Sequence, residues 1–274
     1  MPVVNVNSPI MTQEERTQWY RELAAAASSI RLIHPLVGSV TFAAEDFRGL
    51  QHAVFHLLAE ACTPRFEGDL EAFLAASDQH RLSIDTTPGS VIKISYKTYA
   101  GYTRLHHQIG QILKHLRILE RITAMSLANL RVVAGEAKTP DTEKRAYATS
   151  KTHIDVWAGE PNDIVHLWIP LAGDVERTTM DLFAPPERLF TEGWLRPLDN
   201  YEAAEGLVTD PPLDLNLSIG RALLFDGSCP HRTRRMQGAT RISMDVKLLR
   251  KPFDATTQFA SSYLAVEDIG VWFS

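Results

Sequence analysis

Ser150-Lys-Thr-His-Ile-Asp-Val-Trp157 carries two chemically useful side chains, His153 and Asp155, two residues apart. On an extended strand that spacing sends both to one face. A further imidazole, His231 in Cys229-Pro-His231, follows 76 residues after Asp155. Two imidazoles and one carboxylate form a facial ligand set that leaves the remaining positions of an octahedral metal open. His-x-Asp alone occurs by chance in many chains, so the weight falls on what surrounds it.

Outward from this stretch the chain reads as strands. Leu130-Arg-Val-Val133 is short and β-prone, Gly135 to Glu143 is a polar connection, and Tyr147 to Val156 is the strand expected to carry His153 and Asp155. After a turn cluster at Gly159–Asp163, Ile164 to Leu171 is a nearly continuous apolar run, the pattern of a strand covered on both faces. Residues 172–212 are loop-rich, with lid candidates over 174–200 that include Arg177, Arg188, Trp194 and Arg196. Strand character resumes from Leu215 to Phe225, with Gly220 as a bend. It returns over Thr240–Leu249, where Ile242, Met244, Val246 and Leu248 alternate with Arg241, Ser243, Asp245 and Lys247.

Before residue 128 the pattern is mainly helical. A helix is expected from a Thr12 cap to about Ile33, a second over Ala44–Cys62 and a third over Asp69–Ala76. A strand is expected around Val91–Tyr99, then a helix over Leu105–Leu127. His106, His107 and His115 on that helix point in different directions and read as surface or packing histidines. The whole is expected to be one α+β domain of 274 residues: a mainly helical part at 12–127 packed outside a double-stranded β-helix (jelly roll, cupin-like) core at 128–250. A tail at 251–274, rich in aromatics such as Phe253, Phe259, Trp272 and Phe273, is expected to pack on that core.

Composition narrows the class. The formal net charge of −5 offers no electrostatic case for nucleic acid. No run of about 18 apolar residues suggests a membrane span, and the N-terminus lacks the basic and apolar regions of a secretory signal. The two cysteines, Cys62 and Cys229, do not form a CxxC and fit a reducing cytoplasm. The expected partner is a small molecule, although the apolar end Val271-Trp-Phe273 could equally serve a second copy of the chain as a homodimer contact.

Three features extend the trio. His231 lies just beyond Gly220-Arg-Ala-Leu-Leu-Phe-Asp-Gly227, Arg241 follows it by ten residues, and Ser243 shares the parity of Arg241. This arrangement resembles the iron(II)/2-oxoglutarate-dependent dioxygenases. His153-x-Asp155-x-Trp157, the downstream Pro161 and the strand ending Trp168-Ile-Pro-Leu171 are similar to the phytanoyl-CoA-hydroxylase-like group, including natural-product tailoring enzymes of bacterial secondary metabolism. The resemblance covers roughly 147–250 and does not extend to the helices of 12–76.

The resemblance implies that His153, Asp155 and His231 ligate Fe(II), and that 2-oxoglutarate and O₂ are cosubstrates. It also implies that Arg241, with Ser243 as second donor, anchors the far carboxylate of 2-oxoglutarate; the guanidinium fork suits a carboxylate in a way an ammonium does not. A carboxylate at 155, where related halogenases have a small residue, implies hydroxylation or another oxidation. His166 either touches 2-oxoglutarate or substrate or is a buried histidine with a backbone partner. Tyr96, with Lys93 and Tyr99, sits where related enzymes place cosubstrate and substrate contacts, and Lys151 shares the parity of His153. Trp157 and Trp168 read as core, Cys229 as a weak alternative ligand, and Arg232, Arg234 and Arg235 as a basic run that could meet an anionic substrate. A non-catalytic jelly-roll module binding a metal or small ligand remains the rival; it has no need of Arg241 and Ser243.

Overall fold

A computed structural model describes residues 10–63, 65–78, 83–87, 90–133, 145–236, 238–251 and 262–271. The expectations for the connection Gly135 to Glu143 and for Phe253, Phe259, Trp272 and Phe273 lie outside them.

The first helix, α1 (Gln13–Ala26), starts on a capping box: the Thr12 hydroxyl accepts from the Glu15 amide, and the Glu15 carboxylate accepts from the Thr12 amide at 2.7 Å. It stops well short of Ile33. Ala27-Ser-Ser29 breaks the helix, and the chain returns as a hairpin of β1 (Ile30–His34) and β2 (Val37–Thr41). Serines compete for helical backbone groups, while β-branched Ile30 and Ile33 fit a pleated, half-buried surface.

The second helix, α2 (Ala44–Ala61), buries Leu50, Val54, Leu57, Leu58 and Ala61 of the apolar stripe its spacing predicts, while Phe47 of that stripe is only partly buried. After β3 (Cys62–Thr63), α3 (Leu70–Asp78) begins where the Asp69 carboxylate accepts from the Ala72 amide at 2.8 Å. β3 pairs with β4 (Ser83–Ile84) in a separate two-stranded sheet.

The strand expected around Val91–Tyr99 shrinks to isolated bridges, Thr86 to Ile92 and Val91 to Arg131. Thr98 closes a turn instead: its hydroxyl accepts from the Ser95 amide and donates to the Lys93 carbonyl, both at 2.9 Å. The next helix, α4 (Tyr99–His115), therefore begins earlier than expected and ends earlier too. Arg117 adopts φ 57°, a short 3-10 turn follows at Leu119–Arg121, and β5 (Ala124–Ser126) takes the place of the last predicted helical turns. Gly101 lets α4 approach α2, since a Cβ there would lie 2.9 Å from Leu57 Cδ1 and 3.0 Å from its Cα.

The remaining elements build two antiparallel sheets. They are β6 (Asn129–Val133), β7 (Ile164–Gly173), β8 (Thr179–Leu182), the single turn α5 (Arg188–Thr191), β9 (Arg221–Asp226), β10 (His231–Arg234), β11 (Arg241–Leu249), β12 (Tyr263–Ala265) and α6 (Val266–Val271). The main sheet is eight-stranded, in the order β1-β2-β9-β7-β11-β5-β12, with β6 also on β11. β10 and β8 form a second sheet, with His231 opposite Leu182. β7 is buried from Ile164 to Ala172, as its unbroken apolar run predicts. The chain thus mixes helices with antiparallel sheet. One buried cluster joins Tyr20 and Leu23 of α1, Leu57 of α2 and Leu105 of α4 to Leu167, Leu224 and Val246 of the main sheet.

Other expectations are adjusted. The strand ending at Phe225 starts only at Arg221, after Gly220 with φ 85°. The loop-rich 172–212 region holds β8, α5 and a 3-10 turn at Tyr201–Ala204. The described part of the tail packs on the body: β12 pairs with β5, and Ile269 is buried. Among the described residues no helix is long and apolar enough to cross a membrane.

A buried ion triad ties these layers together. Asp226, at the end of β9, sits between Arg16 of α1 and Arg250 just after β11, each 2.7 Å away. Arg16 also donates to the carbonyls of Asn162 (2.7 Å) and Met11 (3.1 Å).

Candidate metal centre

The stretch bearing His153 is not the strand its alternation suggests. It touches the second sheet only at His153, which exchanges both backbone hydrogen bonds with His231 (2.9 and 2.8 Å). After the extended residue Ile154, Asp155–Ala158 winds into a 3-10 turn closed by Gly159 at φ 97°. The glycine-rich turn expected at 159–163 begins early enough to lift Asp155 off the strand. The bridge nevertheless places His153 beside His231, and the turn swings Asp155 toward both.

One ligand atom from each of His153, Asp155 and His231 falls within 4.8 Å of the others. Asp155 Oδ1 is 3.6 Å from His153 Nε2 and 4.0 Å from His231 Nε2. Each histidine turns its Nδ1 to a backbone carbonyl: His153 to Lys151 at 2.8 Å, His231 to Cys229 at 3.2 Å. A carbonyl only accepts, so each Nδ1 carries the proton and each Nε2 presents a lone pair to the shared space. The His153 ring stacks on Tyr201 at 4.4 Å, fixing its plane.

Burial sets the charges. It pushes His153 down to about 3 and lowers His231 as well, so both stay neutral and able to ligate. Burial alone would raise Asp155, but the Lys247 ammonium holds it well below the usual carboxylate range. This donor set of two neutral nitrogens and one anionic oxygen fits a divalent first-row metal.

Two residues, His166 and Lys247, reach this centre from the main sheet, and Glu160 joins them from the turn before β7. His166 lies on β7 with its ring stacked on Phe225 at 4.6 Å, and its Nε2 stands 3.7 Å from Asp155 Oδ2. That atom is buried without a hydrogen-bond partner, and burial lowers the imidazole to about 4. Lys247 and Glu160 were not singled out by sequence. Lys247 Nζ lies 2.9 Å from Asp155 Oδ2 and 2.6 Å from Glu160 Oε1. The signal was available in the alternation of β11, where Lys247 shares a face with Arg241, Ser243 and Asp245.

Arg241 is 2% exposed, donates to the Ser243 hydroxyl at 3.1 Å and to the Thr178 carbonyl at 2.9 Å, and lies over the Trp168 ring. Among the described residues it makes no ion pair. Burial, with Arg131 and Arg235 nearby, lowers it to about 9. A guanidinium so placed is ready for an anion, and the Ser243 hydroxyl, accepting from Arg241, keeps its own proton to donate.

Other candidates fall elsewhere. Tyr96 is 89% exposed on the turn before α4, and its ring neighbours Lys97; the structure gives it no contact with the centre. Lys93 pairs with Asp85, Tyr99 is exposed, and Lys151 pairs with Glu202. Cys229 is buried against the Leu36 carbonyl, and Cys62 is likewise buried and unpaired. His106 is a packing residue: its Nδ1 meets the Tyr102 carbonyl and its Nε2 accepts from the Ala128 amide. The basic run divides, because Arg232 and Arg234 both pair with Asp181. Trp157 is buried with Leu189, Leu195, Tyr201 and Leu207, and its indole donates to the Trp194 carbonyl, which anchors the expected lid segment on the turn that carries Asp155.

No family model matches the chain, and no curated protein matches it. Solved structures do. The non-heme alpha ketoglutarate dependent carbocyclase SnoK from nogalamycin biosynthesis is 12% identical, with a TM-score of 0.48 over 93% of this chain and 92% of its own. The non-heme alpha ketoglutarate dependent epimerase SnoN, of the same biosynthesis, is 16% identical, with a TM-score of 0.43 over 86% and 83%. An N-substituted L-amino acid dioxygenase from Burkholderia ambifaria AMMD is 13% identical, with a TM-score of 0.42 over 91% and 90%. Likeness of this degree leaves the chemistry of the chain to its own site.

Proposed function

We propose that this chain is a single-domain Fe(II)- and 2-oxoglutarate-dependent oxygenase with a double-stranded β-helix core, oxidising a C–H bond of a small polar metabolite in natural-product biosynthesis. The observation that carries the reading is the buried Arg241, joined to Ser243 and lacking an ion pair among the described residues, on the strand that follows the metal histidine His231. A metal-binding module without a cosubstrate has no use for a desolvated guanidinium there, since burying a charge without a partner is costly.

His153, Asp155 and His231 would hold the iron, and Arg241 with Ser243 would take the far carboxylate of 2-oxoglutarate. When bound, iron and 2-oxoglutarate supply the activation of O₂ that oxidises substrate, with release of succinate and CO₂. The residues of the chain do the rest. Backbone carbonyls hold both imidazoles with Nε2 toward the metal, while Tyr201 walls His153 and Phe225 walls His231 with aromatic surface. His166 supplies a buried Nε2 that could meet either cosubstrate or substrate.

The test is anaerobic addition of Fe(II) and then 2-oxoglutarate to the purified chain. A weak visible charge-transfer band of the chelate is expected, with slow succinate formation on admitting air. Metal binding with neither band nor succinate would favour the non-catalytic binding module.

A further inference from the structure

Asp155 is pulled in two directions. Its Oδ1 faces the two ligand nitrogens, at 3.6 and 4.0 Å, whereas its Oδ2 is 2.9 Å from Lys247 Nζ. Lys247 is itself fixed. Its ammonium also meets Glu160 Oε1 at 2.6 Å, and the second Glu160 oxygen accepts from the Tyr263 hydroxyl at 2.9 Å. The side chains of Lys247, Asp155 and Glu160 are 13%, 16% and 15% exposed, so this row runs largely shielded from the metal centre to β12.

An ammonium beside a metal ligand has two opposing effects. As a charge it repels an incoming cation, and removing it should tighten metal binding. As a hydrogen-bond donor it decides which carboxylate oxygen is free to ligate. Glu160 weakens the first effect by neutralising the ammonium locally, and leaves the second intact. The consequence concerns coordination number. A carboxylate that ligates through one oxygen, with two imidazoles, leaves three of six positions open; one that ligates through both leaves only two. A 2-oxoacid chelate and O₂ together require three.

We propose that Lys247, held by Glu160 and Tyr263, is a positioning residue that pins the outer oxygen of Asp155 so that the carboxylate meets the metal through Oδ1 alone. This inference rests on the metal-centre reading given above. It assigns a role in metal binding to a turn residue and a C-terminal strand residue that do not touch the metal, and so couples β12 to the centre.

Anaerobic titration of the full-length, metal-free chain with Co(II), followed by its visible absorption, separates the two effects by sign. Partners of this kind typically carry about 10–100-fold in metal affinity. Lys247→Met should therefore weaken Co(II) binding by roughly that factor although it removes a like charge, and should alter the visible spectrum of the bound ion. Lys247→Arg, which keeps a cationic donor, should recover most of the affinity. Glu160→Gln should weaken binding by a smaller factor. Tighter or unchanged Co(II) binding by a folded Lys247→Met chain would overturn the proposal. If that variant does not fold, Glu160→Gln decides, and unchanged affinity there overturns it equally. Failure of the wild-type chain to bind Co(II) would instead refute the metal centre itself.

Discussion

Replacing Asp226 by Asn changes one atom and removes the carboxylate that, among the described residues, pairs with the two buried guanidiniums of Arg16 and Arg250. Asp226 is fully buried, Arg16 lies 2.7 Å from one oxygen and Arg250 2.7 Å from the other. Deleting one member of a buried ionic group typically costs about 3–5 kcal/mol, because the remaining charges stay desolvated. Titration gives an independent lower figure. Burial would raise Asp226, but the two arginines hold it down at about 2. Relative to an unfolded value near 3.9, that depression corresponds to about 2–3 kcal/mol of stability. With the folded value below the unfolded one, this contribution is present above about pH 4 and is lost as pH falls toward 2.

Unfolding entropy of about 2.1 cal/mol/K per residue over 274 residues converts 3–5 kcal/mol into a Tm drop of roughly 5–9 °C. Thermal melts by circular dichroism at neutral pH measure this. Urea melts between pH 5 and 3 should show the gap between wild type and Asp226→Asn narrowing as pH falls. A change below about 1 kcal/mol at neutral pH, or a gap independent of pH, would refute the assignment of Asp226 as the lock between α1, β9 and the end of β11. Because the Ser228 amide also donates to Asp226 at 2.9 Å, and the Cys229 amide to its carbonyl at 2.8 Å, the substitution should disturb the turn leading to His231 and weaken metal binding as well.

Further outcomes follow from the same geometry. Asp155→Ala should abolish substrate oxidation and lower Co(II) affinity by more than the roughly 10–100-fold typical of outer partners, read by the same titration. Arg241→Ala should leave Co(II) binding close to wild type but lose about 2–5 kcal/mol of 2-oxoglutarate affinity, measured as the concentration that half-saturates the chelate band; normal cosubstrate binding would refute the anchor. His106→Ala leaves the Ala128 amide without its acceptor and should cost about 1–3 kcal/mol in a urea melt with metal affinity unchanged. Loss of metal binding at equal folded fraction would show that His106 does more than pack.

Legibility of the fold tracked how far each pattern depended on its neighbours. The α2 stripe and the unbroken run of β7 were readable because burial along one face or both is written directly in residue order. Sequence spacing extends α1 too far because Ile30 and Ile33 satisfy helical spacing as well as strand preference; pairing with β2, and of β2 with β9, selects the strand. Val91–Tyr99 failed in the opposite sense, since a β-prone composition found only isolated bridges and Thr98 closed a turn. Tyr96, placed by its position along the chain, is left in solvent by that turn.

In the site, the trio His153, Asp155 and His231 and the pair Arg241 and Ser243 are named by the family resemblance that their residue types and spacing carry; the fold brings the trio together and joins Arg241 to Ser243. Lys247 and Glu160 could not be assigned in the same way. Their roles depend on a contact between β11, a 3-10 turn and β12, and only folding makes those segments neighbours. Which Asp155 oxygen faces the histidines, and which faces an ammonium, is likewise decided by tertiary structure. A sequence specifies the carboxylate, but the direction in which its two oxygens point is set by the charges packed around it.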